Sequence, residues 1–311
     1  STDDGGITWT ATFTPDGDVS DTTNLITLAN TGVADLAGNA GTGTSDSNNF
    51  TINTLTPSAA IVVADNALNI GETSLVTFTF TEAVTNFTNA DLIIEGGTLT
   101  AVSTSDNITW TATFSPSAST TDATNLITLD NSGVQALDSG NVGVSTSASN
   151  NYAIDTVRPT ATIAMSDNKL AIGQTATVTF TFSEAVKEFS NTDVTVSNGS
   201  LSAVSSSDGG ITWTATLTPA NAVSGATNLI TVDLAGLKDL ADNVGAGTQN
   251  SANYIVDTVR PTAANIVVAG SDLRAGETST VTITFSEAIT GFTTADMSVA
   301  NGTLSVAEAK R

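Results

Sequence analysis

One nine-residue string recurs almost unchanged three times. ITWTATFTP begins at Ile7, ITWTATFSP at Ile108 and ITWTATLTP at Ile211, spacings of 101 and 103 residues. FTEAV at Phe80, FSEAV at Phe182 and FSEAI at Phe285 keep the same interval, as do NLITL at Asn24 and Asn125 and NLITV at Asn228. A period near 100 residues is too long for a solenoid unit and matches one β-sandwich domain.

Within a period, short runs alternate apolar and polar residues between turn signals, the pattern of an all-β sandwich. In the copy that starts at Pro57 the expected strands are 60–64, 75–81, 91–95, 99–104, 108–114, 126–129 and 152–155. In the second of these, Val76, Phe78 and Phe80 point inward and threonines outward, which suits the strand preference of β-branched residues. The fold class is therefore all-β: tandem seven-stranded sandwiches with split half-domains at both chain ends. The expected divisions are 1–56 (strands five to seven of one domain), 57–157 and 158–259 (whole domains), and 260–311 (strands one to four of another). One explanation of the phase is a fragment of a longer array, and the terminal Lys310–Arg311 suits a trypsin-like cut. The other is that the two halves complement each other between molecules, driven by unpaired sheet edges.

Composition narrows the functions. The chain has 31 acidic residues against 8 basic, a net charge of −23, and 17 acids precede the first basic residue, Arg158. Nucleic acid is not an expected partner, because phosphate binding needs clustered Lys and Arg. Anionic membrane surfaces are disfavoured on the same ground, and no apolar run reaches the roughly 20 residues of a membrane span. The chain contains neither cysteine nor histidine. Disulfides, thiolate or imidazole metal sites and the commonest general base are all missing. Alternating hydrophobic residues at 40% of the chain argue against disorder. Charge this negative opposes compaction by self-repulsion, which bound cations would relieve; adaptation to a saline habitat is the alternative.

FSEAV, DLAGN (from Asp35) and DTVRPTATI (from Asp155) resemble the bacterial immunoglobulin-like repeats of giant secreted adhesins of the biofilm-associated and RTX type. That resemblance implies Ig-like seven-stranded sandwiches extended in tandem from a bacterial surface or secreted, often with calcium at domain junctions. There is no cysteine pair, and the tryptophan falls on the fifth strand instead of the third.

In such a sandwich the loops after strands two, four and six share a pole with the incoming linker. The acidic residues collect there. Glu82, Glu184 and Glu287 end the second strand, and Asp91, Asp193 and Asp296 close the following loop. Asp3, Asp4, Asp106 and Asp208 occupy the next. Asp35, Asp138, Asp239 and Asp242 lie in the glycine-rich loops GVADLAGNAG, GVQALDSGNVG and GLKDLADNVG, and the linkers bring Asp155 and Asp257. Calcium takes six to eight oxygens from carboxylates, amides and carbonyls, so Ca2+ is the expected ion. The fullest set is Asp155, Glu184, Asp193, Asp239 and Asp242, with Asn243 or its loop carbonyls adding ligands. The preceding junction is expected to be weaker, because Asn53 and Ala136 replace the linker and loop acids. Asp and Asn also favour turns without any ion, and for Asp65, Asp167 and Asp272, and for Asp16, Asp18 and Asp21 in the loop after strand five, solvated turns are the preferred reading.

Trp9, Trp110 and Trp213 share the inward face of the fifth strand, which points to core packing and not sugar stacking. Arg158 and Arg260 precede prolines that stiffen the linkers. Without histidine no serine has its usual activating base, and acids repeated in every copy suit a structural unit; the chain is not expected to be an enzyme. The expected role is an extracellular stalk stiffened by calcium. A self-polymerising filament and direct recognition of surface polysaccharide or a host surface are the alternatives, with neighbouring repeats or copies of the chain as partners.

Overall fold

The structure, a computed structural model, describes residues 5–305. Asp3, Asp4, Lys310 and Arg311 lie outside the described residues. The fold is all-β, and among the described residues the only helical elements are three-residue 3-10 turns. No helix among the described residues is long and apolar enough to cross a membrane. The chain divides into two compact units, Ser1–Arg158 with Lys238–Val244, and Pro159–Leu237 with Gly245–Arg311.

In the first unit, one sheet runs in the order Gly97–Leu99, Thr109–Pro116, Ser74–Phe80, Ala59–Val63, with Ser103–Thr104 also pairing onto Thr109–Pro116. Trp110 stands opposite Phe78 and Ala112 opposite Val76. Facing it, Thr121–Asn125 and Ala67–Leu68 flank Tyr152–Asp155, while Thr146–Ala148 and Leu92–Ile94 flank Ile127–Asp130. Along Ser74–Phe80 burial alternates residue by residue, because successive side chains point to opposite faces of the sheet. The buried set includes Val76, Phe78, Phe80, Phe114, Ile127, Leu129, Tyr152 and Ile154. Phe87 sits edge-on among Phe78, Phe80 and Trp110, with ring centroids 5.1, 5.2 and 5.3 Å away. Each such side chain withdrawn from water contributes about 1.5–3 kcal/mol.

The second unit repeats the plan. Ala161–Met165, Ala176–Phe182, Thr212–Pro219 and Gly199–Leu201 form one sheet, with Ser205–Ser206 off its path. Trp213 faces Phe180 as Trp110 faces Phe78. Lys169–Ala171, Tyr254–Asp257 and Ser224–Asn228 form part of the opposing face.

Five strands of the repeat at 57–157 go beyond the seven expected: Ala67–Leu68, Val84–Thr85, Thr121–Asn125, Gln135–Ala136 and Thr146–Ala148, and the strand expected at 99–104 is split into Gly97–Leu99 and Ser103–Thr104. Thr121–Asn125 is polar and mostly exposed, so it carries no alternation; it is a strand because it pairs with Tyr152–Asp155. Its first-copy equivalent, Ser20–Asn24, places Asp21 in a strand opposite Ile52, correcting the loop assignment. Asp21 caps its own neighbourhood, accepting from the Thr23 amide at 2.8 Å.

The two ends differ from the middle. The expected strand at 7–13 does not form: residues 7–15 have no strand pairing, and Trp9 is 76% exposed. The equivalent strand Thr109–Pro116 exists by pairing with Ser74–Phe80 and Gly97–Leu99. Residues 5–56 contain equivalents of neither. Core packing holds for Trp110 and Trp213, which lie against the two cores, and fails for Trp9. At the other end, Ala263–Val268 pairs with Val281–Phe285 and no described residue after Thr258 is buried.

Candidate metal centre

Asp155 is the last residue of Tyr152–Asp155, Asp239 the last of Lys238–Asp239, and Glu184 follows Ala176–Phe182 by two positions. One carboxylate oxygen from each lies within 4.8 Å of the other two. Asp239 is fully buried, and Asp155 and Glu184 are half-buried.

Asn243 organises the loop. Its backbone N–H donates to Asp239 Oδ1 at 2.8 Å, and its side-chain amide donates to Asp239 Oδ2 at 2.9 Å and to the main-chain oxygen of Asp155 at 2.8 Å. Its Oδ1 accepts from the Ile70 N–H at 2.8 Å, and Asn69 donates to the Ala241 carbonyl at 3.0 Å. The Asn243 side chain, expected as a possible ligand, is instead the clamp that aims Asp239. The signal for it was in the sequence: Asp35 and Asn39 have the same spacing and the same pair of bonds, each at 2.9 Å. Those donors hold the Asp35 carboxyl below its usual range, the Asn39 side-chain amide most of all.

Three carboxylates this close repel one another by roughly 3 kcal/mol per ionised pair at an effective dielectric of about 20. Two oxygens bound to one calcium at 2.3–2.6 Å lie no more than about 5 Å apart. The group therefore fits a hard cation such as calcium, with all-oxygen donors and no sulfur or imidazole. Asp155 Oδ1 is further fixed by the Thr121 hydroxyl at 3.0 Å and the Val157 amide at 3.2 Å.

The other expected ligands are placed elsewhere. Asp193 Oδ2 accepts from the Ser190 amide at 2.8 Å and its hydroxyl at 3.1 Å, capping the turn Asn191–Asp193. Asp91 caps through Thr88 and Asp296 through Thr293 in the same way. These three carboxylates serve the backbone of their own loops because Ser or Thr stands three residues earlier, a capping-box spacing. Asp242, at φ 70°, lies 3.9 Å from the Lys238 ammonium and outside the group of three. Asp106 and Asp208 are turn acceptors; the Thr212 amide is the largest influence drawing the Asp208 carboxyl down to about 2.

At the preceding position Asn141 repeats the clamp, donating to the main-chain oxygens of Asn53 at 3.1 Å and Leu55 at 2.7 Å. Buried Ala136 stands where Asp239 stands, so Glu82 is left without the other two acids, and Asp138 is exposed. Asp257 is exposed, and Glu287 has a buried Oε1 without a hydrogen-bond partner among the described residues. Neither they nor Asp35 join a cluster of three acids.

The sequence matches the family described as bacterial Ig-like domain (Big_12) over residues 1–52, 53–154, 155–256 and 257–310. These copies begin at the linkers, ahead of the divisions expected at 57, 158 and 260. Asp155, Glu184 and Asp239 all fall within the third copy. Among solved structures, the chain is similar to the Escherichia coli adhesin FdeC, with 14% identity over 76% of each chain and a TM-score of 0.31. It is also similar to the Yersinia pseudotuberculosis adhesin InvE, with 15% identity over 68% of this chain and 66% of that one and a TM-score of 0.28. A third is the N-terminal part of the bacterial S-layer protein SbsC, with 16% identity over 65% of this chain and 44% of that one and a TM-score of 0.22. No curated protein matches the chain by sequence.

Proposed function

The chain belongs to the bacterial Ig-like domain family, in four tandem copies, and on that premise we propose that it is a structural, extracellular repeat region of a bacterial adhesin or fibre, stiffened by calcium. Asp155, Glu184 and Asp239 are the ligands of this reading, completed by carbonyls or water. Its role is mechanical and not catalytic. The ion neutralises like charge and fixes the linker Thr156–Pro159 to the repeat it introduces. The observation that supports it is the meeting of three acids from a linker strand, a strand end and a loop, around an Asp239 already oriented by Asn243. Stability rises with free calcium by RT ln(1 + [L]/Kd) if the folded chain alone binds it.

Small-angle scattering and thermal unfolding, in EDTA and then in millimolar calcium, test the proposal. The expected result is a longer, stiffer particle with a higher Tm in calcium. Identical curves in the two buffers would leave the acids as turn formers and remove the ion from the account.

A further inference from the structure

In each of the two central repeats the first strand lies at a sheet edge, and the two edges are finished differently. In the repeat at 57–157 the Asn150 carboxamide lies against the main chain of Val63 as a second peptide group would. Its Oδ1 accepts from the Val63 N–H at 2.9 Å, and its Nδ2 donates to the Val63 carbonyl at 3.2 Å. Alongside, Ile61 forms a parallel bridge with Ser149, and the Ala59 N–H donates to the Ser147 hydroxyl at 3.4 Å. Under this cover Ile61 and Val63 are 5% and 2% exposed. In the next repeat Ala252 stands in the place of Asn150, and Gln249 in that of Ser147. The Ser166 N–H bonds to the Thr177 carbonyl at 2.9 Å, so the alternation of an antiparallel pair turns the Met165 N–H and carbonyl to the outer edge. Among the described residues none bonds to them there, and Ile163 has no bridge like that of Ile61. Ile163 and Met165 are only half-buried. A cavity of about 370 Å³ opens beside them, lined also by Asp167, Asn168, Ala252 and Asn253.

We propose that this cavity is a recognition site for a carboxamide, the side chain of an asparagine or glutamine carried on an extended segment of a partner protein. The carboxamide takes the place that Asn150 fills one repeat earlier: its oxygen accepts from the Met165 N–H and its nitrogen donates to the Met165 carbonyl. The chain itself shows the fit, because the same group satisfies the same main-chain atoms at Val63. A carboxylate fits less well. It has no proton to donate to the carbonyl, and Asp167 and the net charge of −23 repel it. Basic residues beside the asparagine are favoured on the same ground. An extended segment suits the site because an open strand edge presents N–H and carbonyl groups in a row that further peptide groups continue. This inference does not rest on the calcium reading: none of Asp155, Glu184 and Asp239 lines the cavity.

The probe is a capped pentapeptide, lysine-serine-asparagine-serine-lysine, titrated into the full isotope-labelled chain and followed by amide NMR. The expected result is a saturable shift of the Met165 amide and its neighbours Ile163 and Ser166, with the Val63 amide unmoved. Aspartate in place of the central asparagine weakens binding about tenfold, the scale of one or two lost hydrogen bonds. Ala252→Asn rebuilds the cover that Asn150 provides, so it raises Tm and abolishes the shifts. Asn150→Ala opens the equivalent edge in the preceding repeat and adds a second set of shifts, at Val63. Shifts that are absent at Met165, equal for the two peptides, or unchanged by Ala252→Asn overturn the proposal. So does a higher Tm for Ala252→Asn when the parent chain takes up no probe, since Ala252 then marks a lost bond and not a site.

Discussion

Asn243 grips both carboxylate oxygens of Asp239, one through its backbone N–H at 2.8 Å and the other through its side-chain amide at 2.9 Å. The same amide reaches the main-chain oxygen of Asp155 at 2.8 Å. A buried acid is thereby aimed at two others by a neutral residue. Replacing Asn243 with Ala removes the side-chain donors and leaves one buried carboxylate oxygen unsatisfied, a cost of about 1–3 kcal/mol. Denaturant unfolding in EDTA measures it; a change below a few tenths would show that the clamp is dispensable.

The acids separate into two kinds. If calcium binds as proposed, Asp155→Asn and Glu184→Gln are each expected to weaken that binding tenfold or more, as read by titration calorimetry, without a large loss of stability in EDTA. Asp193→Asn does the reverse: it leaves affinity unchanged and lowers stability by about 0.5–2 kcal/mol, the range for a lost helix cap. Equal effects of all three on affinity would return Asp193 to the ligand set.

The preceding linker offers a gain-of-function experiment. Asn53→Asp with Ala136→Asp reproduces the acids beside Glu82, and Asn141 already holds that linker's backbone. In EDTA the double variant is expected to be destabilised by several kcal/mol, because a charge replaces a buried methyl without a partner. Millimolar calcium should recover most of that loss. No recovery would mean that three acids on this scaffold do not suffice for a site.

Tyr152 and Asp208 contribute at opposite ends of the pH range. Burial first, and Glu95 second, push the Tyr152 hydroxyl up to about 12 from an ordinary value near 10. The raised value means that its contribution is intact below pH 10 and is lost as pH climbs from there through 12. The chain has only two tyrosines, and Tyr254 is raised in the same direction by burial. Ultraviolet titration should therefore show little phenolate before unfolding begins; phenolate forming freely at pH 10 in the folded chain would contradict the packing. Asp208 works at the other end. Its carboxyl is depressed to about 2, so its contribution is present above about pH 4 and is lost as pH falls through 2. Asp208→Asn should flatten that acid limb.

Much of the core was legible because burial leaves a period. Val76, Phe78 and Phe80 alternate with threonines, and they are inward-facing and buried. Thr121–Asn125 was not legible, since hydrogen bonds to a neighbouring strand, and not side-chain burial, make it a strand. Trp9 repeats the letters of Trp110 in a place without covering residues, so the same words have a different fate. At the site, acids were easy to find and hard to sort. Asp239 and Asp193 look alike as letters; what separates them is Asn243 four residues on in one case and Ser190 three residues back in the other.

A short parallel pairing present in both units bears on how a repeat would carry load. Lys169, Leu170 and Ala171 run alongside Ile255, Val256 and Asp257, as Ala67 and Leu68 run alongside Ala153 and Ile154. One partner lies near the start of its repeat and the other near its end, and they point the same way. Tension applied at the two ends slides these strands past each other along their length. Every hydrogen bond between them is then strained together instead of opening one after another.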